Sequence, residues 1–237
     1  MLLGLRKTAD QTRPMKTYDL LIEEGKRFIA DNNLVSARDA LERAIVMIES
    51  EHGLHAQELI TPLSWLAKAY RGDHYNPCSE VEKSISVMAR ALLIAEAPPC
   101  DEPRLAAMLT FQGLSLWFNG EHERALEAVA RSLELAKHWT TNTTEQTRLL
   151  AEILHSAGRS ADALVYAHEL VRQAEERPSG TQLKSYAQLL LADCLRQAGQ
   201  KTEARAIILE ILAWDDAGNE EVKKVVRQWL DELEVTT

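Results

Sequence analysis

Small residues recur along this 237-residue chain at fixed offsets from larger apolar ones, and that recurrence limits its possible folds more than any other feature. In "GLSLWFNGEHERALEAVARSL", residues 113–133, Gly113, Leu116, Ala125, Val129 and Ser132 stand at helical intervals around a break at Gly120. Gly25, Phe28, Ala37, Leu41 and Ala44 repeat those spacings in "EGKRFIADNNLVSARDALERAIVMIE". Two further segments carry Ala151, Leu154, Gly158, Ala163, Ala167 and Leu170, then Ala192, Leu195, Gly199, Ala204, Ile208 and Ile211. A fifth supplies Ala67 and Tyr70, then resumes at Ser84, Met88 and Ala91 after a longer inter-helix stretch.

Each unit reads as two apolar patterns of helical period joined by a break, often "AG" or "NG" plus polar residues. Two antiparallel helices must approach closely at one level, where only Gly, Ala or Ser fits between them; larger apolar residues fill the remaining space. One such pair leaves an apolar face uncovered, so neighbouring pairs must stack upon it. The expected class is therefore all-α, an α-solenoid of about five antiparallel helix pairs. "NEEVKKVVRQWLDELE" then predicts a last amphipathic helix, with Asn219 as its N-cap and Val222, Val225, Val226, Trp229, Leu230 and Leu233 on one stripe. Its expected role is to cap the stack.

The pattern resembles the tetratricopeptide repeat family, in which a small residue is followed three positions on by an aromatic and the second helix carries A-x-x-x-F. Between residues 25, 67, 113, 151 and 192 the offsets are 42, 46, 38 and 41, longer than the family's usual repeat of about 34. The arrangement is accordingly similar to the kinesin-light-chain-like or MalT-like long-repeat variants, with "ARALLIAE" and "SLELAKH" adding to the likeness. The resemblance implies a right-handed superhelix. Its expected organisation is a mobile arm over 1–15, repeats over 16–214 and the capping helix over 215–237.

Composition narrows the function classes. The formal net charge of −9 disfavours nucleic acid and anionic membrane surfaces as main ligands. Three cysteines, Cys78, Cys100 and Cys194, do not form a disulfide framework and suit a reducing compartment. Neither a leader-like apolar start nor a membrane-length apolar run is visible, so a soluble, cytoplasmic protein is expected.

Motifs for chemistry are weak. "HELVR" at 168–172 begins like a zinc-protease helix, but Arg172 stands where the second histidine belongs. His52 and His55 lie three apart without a third ligand nearby. The insertion "GDHYNPCSE", residues 72–80, gathers Asp73, His74, Cys78 and Glu80. It reads as a polar loop turned by Asn76-Pro77, with Ser79 capping the next helix and partner contact as a secondary role. No catalytic residue, metal site or cofactor is expected, and the chain is read as a non-enzyme.

The resemblance also implies where a partner would sit, because first helices of such repeats line the concave surface. Carried over residue by residue, the partner-binding candidates are Trp65, Lys68, Arg71, Phe111, Leu114, Trp117, Arg148, Glu152, Tyr186 and Arg196. The family's carboxylate-clamping and asparagine-row patterns are absent from these positions. Trp65 and Phe111 read equally well as groove anchors or as core. Lys68, Arg71, Arg148 and Arg196 form an expected cationic rim for an apolar or acidic segment of another protein. The expected function is an interaction scaffold such as an adaptor, assembly chaperone or dedicated inhibitor. A regulator sensing a peptide or small ligand is the alternative.

Overall fold

The computed structural model describes residues 16–72, 80–140, 142–176, 181–213 and 220–235. Its regular structure is helical, and the chain separates into two compact units, Met1–Cys100 and Asp101–Thr237. The expected arm over 1–15 lies outside the described residues, as do Asp73, His74, Cys78 and Ser79 of the insertion.

The first unit contains α1 (Thr17–Ala30) paired with α2 (Leu34–His52), and α3 (Ile60–Arg71) paired with α4 (Val81–Ala95). A 3-10 turn at Gln57–Leu59 leads into α3. The second unit pairs α5 (Glu102–Phe118) with α6 (His122–Lys137), α7 (Thr144–Ser156) with α8 (Ser160–Glu175), and α9 (Thr181–Gln197) with α10 (Lys201–Leu212). α11 (Glu220–Val235) packs on α10 and buries Val226 and Leu233, while Val225 of the expected stripe is exposed. The described helices run up to 19 residues, in α2, which lengthens the offset between residues 25 and 67.

The small residues lie where the argument from close approach requires them. Ala37, Ala44, Ala67, Ala91, Ala125, Ala151, Ala163, Ala167, Ala192 and Ala204 are wholly buried. A methyl group on Gly25 would come within 2.6 Å of Leu41 Cγ. On Gly113 it would collide with the Val129 side chain and lie 3.2 Å from the Ala125 carbonyl oxygen. Where the pattern has serine, the hydroxyl is used: Ser84 donates to the Ala67 carbonyl and Ser132 to the Ala106 carbonyl, both at 2.7 Å. Each bond joins the second helix of a pair to the first and satisfies a buried polar group.

The breaks between paired helices share one backbone device. At Gly120 the chain takes a left-handed turn (φ +79°), the Gly120 N–H donates to the Trp117 carbonyl, and the Glu121 N–H donates to that of Leu116. This reciprocal pair terminates α5 and favours a residue without Cβ at the turn. Gly158 and Gly199 recur in the same role, and Asn32 (φ +55°) fills it after α1. Repeat two differs: α3 ends at Gly72, and α4 begins at Val81 with Glu80 at the cap position, one residue later than the expected Ser79. Glu80 is held there by ion pairs to Arg38 of α2 and Lys83 of α4.

Candidate functional site

All ten partner-binding candidates lie on first helices, α3, α5, α7 and α9. Lys68 and Tyr186 are exposed and the other eight half-buried, the state expected of residues at the edge between core and solvent. The first unit holds Trp65, Lys68 and Arg71; the second holds the rest.

In the first unit Trp65 is flanked by two ammonium groups. Lys68 Nζ lies 4.8 Å and Lys26 Nζ 5.8 Å from the ring centroid, within the range in which a cation is attracted by the indole π-face. Lys26 also bonds Glu23 at 2.6 Å. Lys68 has no ion pair among the described residues. With Arg71 it lines a cleft of about 400 Å³ together with Ile29, Ala30, Asn32, Leu34 and Gly72. That lining combines apolar surface with two cations and includes no carboxylate.

In the second unit the corresponding face is closed by its own ion pairs. Arg148 holds Glu145 at 2.7 Å and both oxygens of Glu152 at 2.6 Å. The Tyr186 hydroxyl donates to Glu152 from α9. Burial, then the Glu152 carboxylate, raises the Tyr186 phenol above its ordinary range. Arg196 holds Asp193 at 2.7 Å and Glu232 of α11 at 3.1 Å, and its guanidinium lies 5.3 Å from the Trp229 ring centroid. Trp117 donates through its indole N–H to Ser156 Oγ at 2.8 Å and stacks on Phe118 with centroids 5.6 Å apart. Phe111 and Leu114 precede Trp117 at three-residue spacing on α5, which places them along one side of that helix.

The architecture recurs in solved structures. The nearly identical TPR-like repeats of a kinesin-light-chain-type protein from Podosopora anserina superpose with a TM-score of 0.68 at 16% identity, covering 82% of this chain and 92% of that one. MamA protein gives a TM-score of 0.61 at 14% identity, covering 83% and 90%. The fold is tetratricopeptide-like. A Rap protein complexed with Competence and Sporulation Factor shares it with a TM-score of 0.59 at 12% identity, covering 95% of this chain and 66% of that one. No protein-family model matches the chain, and no curated protein matches it in sequence.

One cluster in the tetratricopeptide-like second unit was not visible as a group in the sequence. His155 Nε2 lies 2.9 Å from Asp193 Oδ2, and His155 Nδ1 lies 3.2 Å from Ser160 Oγ and 3.6 Å from Cys194 Sγ. The hydrogen bond to Asp193, then that to Cys194, pushes the imidazole up to about 10, against the effect of burial. Burial alone would raise the Asp193 carboxyl, but hydrogen bonds from His155 and Arg196 hold it below its ordinary value. The residue types are those of a Cys–His–Asp nucleophile system, yet Cys194 is wholly buried, leaving an external electrophile no access to the sulfur. The cluster works as a clasp between α7 and α9.

The other sequence candidates for chemistry separate in the tetratricopeptide-like frame. His52 ends α2 and meets Lys16 at 3.1 Å and the Tyr18 ring edge-on, whereas His55 lies exposed beyond the Gly53 cap. Among the described residues no three His, Cys, Asp or Glu side chains gather as a metal site. Arg172 of "HELVR" bonds Glu169 and Glu176 along its own helix. No helix among the described residues is long and apolar enough to cross a membrane.

Proposed function

We propose that this chain is a non-enzymatic interaction module that takes an extended or helical segment of another protein on the first-helix face of its repeats. The reading rests on one observation: Trp65 lies half-buried between Lys26 and Lys68, beside a cleft lined by apolar side chains, two cations and no carboxylate. Such a surface suits a segment that carries an apolar anchor flanked by Asp or Glu. The anchor gains from desolvation against Ile29, Ala30 and Leu34, and the acids select orientation and speed encounter. The complex of a Rap protein with Competence and Sporulation Factor shows the same fold engaged with a partner, which supports a binding role for the scaffold.

Arg148 and Arg196 are assigned a different part. Each already holds two carboxylates, so an incoming acid would have to displace an internal one. The cationic contribution is therefore assigned to Lys68, which has no ion pair among the described residues. The test is selection of a displayed random peptide library against the intact chain, followed by titration of the selected peptide. The expected consensus pairs an aliphatic or aromatic anchor with acidic neighbours, and binding weakens at least tenfold with Trp65→Ala and with Lys68→Glu. Unchanged affinity in both variants would overturn the proposal.

A further inference from the structure

A second cleft lies on the opposite kind of helix. In the second unit, Leu126 and Ala130 of α6 face Ala161, Val165 and Tyr166 of α8 across a gap of about 540 Å³ floored by Leu150 and Leu154 of α7. Its rim carries Glu123, Glu127 and Asp162 against the one cation Arg159. Arg159 is committed twice, to Asp162 at 2.8 Å and to Glu123 at 3.4 Å, and so ties α8 to α6 at one end of the gap. Glu127 has no ion pair among the described residues. Val165, at the mouth of the cleft, is 70% exposed.

We infer that this cleft between second helices is a docking site for a basic amphipathic helix of a partner protein, separate from the Trp65 face. Size, lining and charge agree on that occupant. From Glu123 to Ala130 the α6 wall is about 10 Å long at ~1.5 Å per residue, enough for about two turns of a helix lying along it. Two or three aliphatic side chains at i, i+3 or i+4, and i+7 would cover Leu126, Val165 and the Leu150–Leu154 floor. Three rim carboxylates against one guanidinium leave a net negative collar, which favours Lys or Arg beside those anchors and disfavours fatty acids and phospholipid headgroups. The two faces thus select partner segments of opposite charge.

The probe is a synthetic helical peptide of about 14 residues with Leu at i, i+4 and i+7 and Lys on both flanks, compared with its Glu-flanked counterpart. Binding to the full chain is followed by methyl resonances. The Leu/Lys peptide is expected to shift Leu126, Leu154 and Val165 and to bind about tenfold more weakly to Glu127→Lys and to Val165→Asp. Both substitutions are at exposed positions, and circular dichroism checks that helix content is unchanged. Equal binding of the Glu-flanked peptide would overturn the inference, as would shifts centred on Trp65 or an absence of shifts at about 1 mM.

Discussion

Counted from the buried small residue of each first helix, the next position and the one three beyond it hold different chemistry in the two units. In the first unit they are Lys26 and Ile29, then Lys68 and Arg71; in the last two repeats of the second they are Glu152 and His155, then Asp193 and Arg196. Lys26 and Lys68 lie over the Trp65 ring, whereas His155 of one repeat meets Asp193 of the next and Arg196 reaches on to Glu232. The position that displays Lys68 in the first unit is thus used for stitching in the second, by Glu152 and Asp193. Charges paired across repeats stabilise the stack and lose their availability to a ligand; Lys68, which rests on an aromatic ring and has no ion pair among the described residues, keeps it.

The largest expected effect tests the packing both units share. Gly113→Ala brings a methyl group against Val129, a β-branched side chain with little freedom at χ1, and toward the Ala125 backbone. Gly25→Ala meets Leu41, which has more rotamer freedom, although Leu41 is also wholly buried. Alanine's helix preference returns about 1 kcal/mol at either site. Net destabilisation of about 2–3 kcal/mol is expected for Gly113→Ala and about 1 kcal/mol for Gly25→Ala, read by urea unfolding. Equal costs would break the claim that a stiff neighbour sets the spacing.

The charge contrast is sharpened by Asp193→Asn. Removing the carboxylate leaves the His155 imidazole and the Arg196 guanidinium, both half-buried, short of an acceptor. A fully enclosed pair would lose roughly 3–5 kcal/mol; here solvent reaches both groups, and about 2 kcal/mol is expected. The pH dependence gives an independent reading. His155 titrates near 10 in the folded chain against about 6.5 unfolded, so the folded state binds the extra proton. The pair's contribution is complete below about pH 6.5 and is lost as pH rises toward 10. Wild-type stability should therefore fall between pH 7 and pH 9.5, and Asp193→Asn should flatten that fall. An unchanged slope in the variant would remove the clasp from the account.

The spacing of small residues made the helix pairs legible because close backbone approach tolerates so few side chains, and the buried alanines lie where that argument puts them. The "NG" and "AG" breaks were equally readable, since a left-handed turn calls for Gly or Asn. The clasp was not. His155, Asp193 and Cys194 lie in different repeats, and only alignment of each helix on its buried alanine brings a base at one position against an acid at another. The division at Cys100 and Asp101 had a local signal in adjacent Pro98 and Pro99, but both fall within a pattern dominated by helix periodicity. Charge availability on the first-helix face was readable only in part. Glu145, Glu152 and Asp193 stand three or four positions from Arg148 and Arg196, whereas Lys68 has no acid at those intervals; the tie from Arg196 to Glu232 needs the packing of α11.

The smallest stability effect carries the most functional weight. Lys68 is exposed, touches Trp65 through its ammonium, and has no ion pair among the described residues. Lys68→Glu removes that contact and puts a carboxylate in the last turn of α3, so a cost of no more than about 1 kcal/mol is expected. Arg196→Glu, which sets a carboxylate against both Asp193 and Glu232, should cost several times more. If the first unit is the display surface, Lys68→Glu weakens capture of an acidic segment at least tenfold while lowering the melting temperature by no more than about 2–4 °C. Arg196→Glu should lower the melting temperature and leave that affinity close to wild type whenever the fold persists. A result with the two roles exchanged would mean that a partner does displace the internal carboxylates, and that the paired face of the second unit is the one that opens.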